Sequence, residues 1–185
     1  MAGIDLSIWV PILATWILVV GTLAFAYWQL RQNQRLHSTT TLLDLRDRFY
    51  SPRMREARRT LATWLVKADR GDEPDNWEVG LYFELIGSLT RTHNLERGLV
   101  RKAFGTWITG YYLFITQPVD LIARWRKESG DPLIFADFEW IATWIIERER
   151  RLAPGPRFEP SMREEARFVL EGESQLDVTG QLGPD

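Results

Sequence analysis

Hydrophobic and polar positions divide this chain into two unequal parts. Ile8 to Trp28 reads IWVPILATWILVVGTLAFAYW without a charged side chain, and the charge-free run extends from Leu6 to Leu30. At about 1.5 Å per residue, a helix of this length crosses a hydrocarbon core of about 30 Å. A lone segment in lipid has to be helical, because every backbone N–H and C=O needs an internal partner. The run is therefore expected to be a membrane anchor. Two other readings compete with it. A cleaved signal peptide would use Ala24-Phe25-Ala26 as its small-x-small site, but nothing before the run is basic except the α-amine. A core helix of a soluble protein is rarely so apolar on every face.

Beyond Leu30 the apolar positions become periodic. Leu36, Leu43 and Tyr50 are seven apart, with Leu42, Leu45 and Phe49 beside them. The anchor helix is thus expected to run on to Ser51-Pro52, where a capping residue and a Pro announce a new start. The next helix is predicted over Pro52–Ala68, with Met54, Ala57, Leu61, Trp64 and Leu65 inward. Arg53, Arg55, Arg58 and Arg59 then form its solvated face. A third helix is predicted from a cap at Asn76 to about Thr92. In it Glu84 is either a buried acid with a basic partner or a boundary residue with its head in water. Ala103 to Val119, AFGTWITGYYLFITQPV, is a second uncharged run. It is short for a membrane crossing and is read as the buried central helix, broken at Pro118. Asp120–Lys127 continues as a helix that stops at Ser129-Gly130.

Phe135–Arg151 is the last strong helix. Phe138, Ile141, Ala142 and Ile145 line one face, and Trp140 and Trp144 another. Two broad apolar faces imply that both are covered, the second by a partner or by the long anchor helix. Pro154, Gly155, Pro156 and Pro160 mark a linker. A short amphipathic helix at 161–170 is possible, and the end is read as disordered or partner-bound. The fold class is all-α: a single N-terminal transmembrane helix continuing into a cytoplasmic helical bundle of about four or five helices, with an irregular C-terminal tail. The expected domains are residues 1–30, 31–151 and 152–185.

Charge orients the anchor. Asp5 precedes it, and Arg31, Arg35, Arg46 and Arg48 follow. Flanking cations remain on the cytoplasmic side, so the N-terminus is expected outside and the bulk of the chain inside. Trp9 at one end and Tyr27 and Trp28 at the other suit the headgroup level, with Arg31 and Arg35 beside anionic headgroups. Thr22 and Ala26 supply a small-xxx-small spacing for contact with another membrane helix. The net charge of −2 gives no global basic character, and nucleic acid is not an expected partner. The absence of Cys removes disulfides, thiol chemistry and Cys-based metal sites.

No catalytic constellation is legible. His37 and His93 lie on different elements without metal-ligand spacing, and there is no Gly-rich phosphate loop or nucleophile elbow. The acids of the 68–76 loop do not follow the EF-hand pattern. No catalytic, cofactor or metal residues are assigned.

Three stretches carry a resemblance: LLDLRDRFYSPRMREARRTL (Leu42–Leu61), YFELIGSL (Tyr82–Leu89) and FEWIATWI (Phe138–Ile145). The chain resembles an uncharacterised bacterial family, a numbered domain of unknown function with one N-terminal membrane helix and a small all-helical cytoplasmic domain. The resemblance implies topology and fold, and a place in the bacterial inner membrane, but no activity or site.

The expected function is that of a non-catalytic structural or accessory subunit of a larger membrane complex. Its partners would be lipid and other membrane subunits, contacted through Thr22, Ala26, Trp140 and Trp144, with a homo-oligomer also possible. The alternative is a membrane-tethered binding or signalling module that recruits a cytoplasmic partner.

Overall fold

A computed structural model describes residues 6–67, 77–117, 120–155 and 158–175; side chains are described for 18–29 and, within those ranges, from 38 onward except 159. Among these residues there are seven α-helices and no strand: α1 (Leu6–Phe49), α2 (Pro52–Val66), α3 (Glu78–Arg91), α4 (Arg97–Thr116), α5 (Leu121–Ser129), α6 (Ala136–Leu152) and α7 (Phe158–Gln175). The chain divides into two compact units, Met1–Thr40 and Thr41–Asp185.

In the first unit every described side chain from 18 to 29 is exposed. Leu18, Leu23, Phe25, Tyr27 and Trp28 each expose more than half of their surface. Among the described residues no helix is long and apolar enough to cross a membrane. The side chains of 6–17, which make up much of the charge-free run, lie outside the described set, as do those of Trp9, Arg31 and Arg35.

The second unit is a helical bundle built on aromatic rings. Phe49, in the last turn of α1, is fully buried. Tyr82 and Phe83 of α3 and Phe104 and Trp107 of α4 surround it, with ring centroids 5.5–6.0 Å away. Burying such a ring contributes about 1.5–3 kcal/mol through the water it leaves behind. The Tyr82 hydroxyl donates to the carbonyl of Leu45 at 2.6 Å, tying α3 to the end of α1. α3 packs on α6, α4 on α6 and α7, and α2 on α7.

Local chemistry sets most helix ends. The Ser51 hydroxyl accepts the Met54 N–H at 3.3 Å, and Pro52 occupies the first helical position of α2, where its missing N–H costs nothing. The Asp120 carboxylate accepts the Ala123 N–H at 3.0 Å, and α5 ends at Gly130 with φ +72°. α3 lacks a side-chain cap at Trp77, and the expected cap Asn76 lies outside the described residues.

Among the described residues α2–α6 are the helices of the expected bundle of about four or five, and one expectation is corrected. Within the segment expected to be an irregular tail, α7 runs 18 residues, from Phe158 to Gln175, beyond both ends of the short helix foreseen at 161–170, and 176–185 lie outside the described residues. Pro160 does not break it, because the first turn needs no N–H from that residue. Ala166, Leu170 and Glu173 are its buried stripe, at 3 %, 0 % and 3 % exposure. A carboxylate in that stripe made the apolar pattern look shorter than the helix.

Candidate interaction surfaces

The first candidate surface is the second face of α6. Trp140 and Trp144 are half-buried there. Side chains of the second unit lie over both rings. The Arg97 guanidinium lies 4.9 Å from the Trp140 ring centre and 5.8 Å from that of Trp144. Arg91 stands 5.8 Å from Trp140 and Arg148 5.9 Å from Trp144. The ring faces carry negative electrostatic potential and attract these cations. Arg91 also forms an ion pair with Asp137 at 2.7 Å, whereas Arg97 and Arg148 have no ion-pair partner among the described residues. Arg97 stands at the start of α4, where the positive end of the helix dipole disfavours a cation. This stripe of rings and arginines is suited to an acidic partner.

The second surface is the exposed run of the first unit. Tyr27 and Trp28 are 68 % and 57 % exposed, and Phe25 packs on Trp28 with centroids 5.9 Å apart. The Thr22 hydroxyl donates to the Leu18 carbonyl at 2.8 Å, within its own helix. Thr22 and Ala26 are both exposed, so their small-residue spacing is open to a neighbouring helix.

Arg58, read from the sequence as part of a solvated face, is instead 1 % exposed. It forms an ion pair with Glu173 of α7 at 3.1 Å. Its guanidinium lies 4.0 Å from the Phe49 ring centre, 5.4 Å from Trp107 and 5.5 Å from Tyr50. Its own carbonyl accepts the Tyr111 hydroxyl at 3.2 Å. Burial pushes the Glu173 carboxyl above its ordinary value, against the pull of Arg58. Burial likewise pushes the Tyr111 phenol far up, assisted by the Glu173 charge. A sequence signal for Arg58 existed: it lies four residues after Met54 and three before Leu61, on the buried stripe of α2. Its partner, 115 residues away, gave none.

Glu84 follows neither expected reading. Its carboxylate accepts the backbone N–H groups of Asp137 at 3.2 Å and Phe138 at 2.7 Å, at the start of α6. Phe135, which leads into that helix with φ +55°, provides no side-chain cap of its own.

A cleft of about 750 Å³ opens between α4, α6, residues 153–155 and the first turns of α7. Arg101 and Glu149 stand on its wall, paired at 2.5 Å. No group of three or more His, Cys, Asp or Glu able to hold a metal ion occurs among the described residues. His93 is exposed at the end of α3, with φ +63°.

A family model described as a domain of unknown function (DUF4760) matches residues 16–144. No curated protein and no solved structure matches the chain.

Proposed function

The chain belongs to the DUF4760 family, which has no assigned function, and from its own residues we propose that it is a membrane-anchored, non-catalytic accessory subunit of a larger membrane assembly. The observation that carries this reading is the exposed run of the first unit. Leu18, Val20, Leu23, Phe25 and Trp28 are at least 57 % exposed in the chain by itself. A contiguous apolar surface of this kind is covered in the cell by lipid or by other helices. The described part, 18–29, is shorter than a bilayer crossing, and the full charge-free run from Leu6 to Leu30 is long enough. Arg31 and Arg35 on its C-terminal side favour a cytoplasmic position for the bulk of the chain, with Trp9, Tyr27 and Trp28 suited to the two interfaces. Thr22 and Ala26 then face a neighbouring helix.

A second reading is favoured by the α6 stripe. Arg97 and Arg148, over Trp140 and Trp144, would recruit an acidic cytoplasmic partner to the membrane.

Extraction of the native membrane in mild detergent, followed by sizing and mass spectrometry, tests both readings. A defined large assembly in fixed stoichiometry supports the subunit reading. Release of a single soluble partner by salt supports recruitment. Full release of the chain by alkaline carbonate without detergent overturns the anchor.

A further inference from the structure

Resting on the recruitment reading of the α6 stripe, we propose that its partner is a helix that presents carboxylates one turn apart and lies along α6. On this stripe rings and guanidiniums alternate. Arg91 lies 5.8 Å from the Trp140 ring centre, and Arg97 4.9 Å from Trp140 and 5.8 Å from Trp144. Arg148 lies 5.9 Å from Trp144. The contacts therefore run Arg91, Trp140, Arg97, Trp144, Arg148, with Arg97 shared by both rings.

Among the described residues the chain leaves two of these cations without an acid, although acids adjoin both in sequence. Arg91 pairs with Asp137 at 2.7 Å. Arg97 follows Glu96 and forms no ion pair with it. Arg148 stands between Glu147 and Glu149, which pair instead with Arg151 and with Arg101. A ring face holds a guanidinium flat and leaves its N–H edge free, so the donors are arranged before a partner arrives. That edge matches a carboxylate through two parallel hydrogen bonds. Arg97 also stands at the positive end of α4, an unfavourable place for a cation that an arriving anion relieves.

Spacing selects the partner. Trp140, Trp144 and Arg148 follow one another at four-residue intervals on α6, about 6 Å apart at 1.5 Å per residue. Carboxylates at i, i+4 and i+8 of a second helix repeat at the same pitch. The exposed parts of the two half-buried rings then meet apolar side chains beside those acids. A layer of lipid phosphates imposes no such spacing and attracts Lys and Arg alike.

The test uses the full-length chain in a zwitterionic detergent. It is titrated into a labelled helical peptide with Glu at i, i+4 and i+8, and into a peptide of the same composition with its acids scattered round the helix. Fluorescence anisotropy should show saturable binding of the first, several-fold tighter than of the second. Arg97→Gln with Arg148→Gln should weaken it at least about ten-fold at unchanged helicity. Arg97→Lys with Arg148→Lys keeps both charges and should still weaken it several-fold. Equal binding of the two peptides overturns the helical register and leaves recruitment by acid standing. Unchanged affinity in the lysine variant means that charge alone is read, and it overturns the arrangement. Binding of neither peptide overturns both the helix and recruitment through this stripe. Displacement of the first peptide by micelles containing phosphatidylglycerol, at concentrations where phosphatidylcholine leaves it bound, assigns the stripe to lipid and overturns the helix.

Discussion

The Glu84 carboxylate, on α3, accepts the backbone N–H of Phe138, in the first turn of α6, at 2.7 Å. One helix thus caps another across a gap of 54 residues. The bond satisfies a donor that α6 cannot pair internally and sets a negative charge at the positive end of its dipole. Glu84→Ala is expected to destabilise the chain by about 1–2 kcal/mol, as the loss of a good N-cap does. Glu84→Gln keeps an acceptor and should cost less. Urea denaturation followed by circular dichroism checks both, and equal stability of E84A and wild type refutes the capping role.

The same junction depends on a missing side chain. A Cβ on Gly87 would stand 2.3 Å from the Asp137 carbonyl oxygen, a separation no real contact shows. Because the obstacle is backbone, α3 and α6 must move apart to admit it. Gly87→Ala is expected to cost at least about 1–3 kcal/mol and to weaken the Glu84 cap at the same time. Coupling between the two changes in a double-mutant cycle would show the shared junction, and simple additivity would contradict it.

Arg58 and Glu173 should behave as a pair. Removing one partner leaves a buried charge uncompensated, at a cost of about 3–5 kcal/mol. Arg58→Met and Glu173→Leu are each expected to destabilise strongly, while the double replacement recovers part of the loss by offering apolar groups to Phe49 and Trp107. A double variant weaker than the sum of the singles would show that the pair does not interact in this way.

The pH dependence follows from the direction in which Glu173 is moved. Its folded-state value lies above the ordinary 4.5, with burial as the larger cause and Arg58 opposing. The folded chain therefore binds this proton more tightly than the unfolded chain. Stability from this group is fully present below pH 4.5 and is lost as pH rises to the folded value, above which it is level. Relative to Glu173→Gln, wild type should gain stability as pH falls towards 4.5. Denaturation midpoints of the two chains across that window test it, and the opposite slope would mean that Arg58 outweighs burial.

Alkaline titration reports on the core tyrosines. Burial raises the Tyr82, Tyr111 and Tyr112 phenols above the usual 10.0. The unfolded chain ionises them first, so stability should fall as pH rises past 10.0. Absorbance near 295 nm should show these phenols ionising together with unfolding. Ionisation well before loss of helicity would place them in water.

Much of this architecture is written along the chain itself. The all-helical class, the starts at Ser51-Pro52 and Asp120, the stop at Gly130 and the inward faces of α2 and α6 follow from periodicity and capping, whereas in α3 Leu81 and Leu85 are exposed and Val79 and Phe83 are buried. These are short-range effects, decided within one or two turns by backbone hydrogen bonding and side-chain spacing. The charge-free run from Leu6 to Leu30 is likewise visible without any fold. Tertiary structure alone decided the rest. Arg58 became a core residue because Glu173 came to it from 115 residues away, and α7 became part of the core for the same reason. Glu84 found a helix end rather than a cation or water. Trp140 and Trp144 received arginines from α3, α4 and α6 as their cover. In each case an ionic or polar group met a partner distant in the chain. Sequence spacing fixes which face a residue occupies, and only packing fixes what stands opposite.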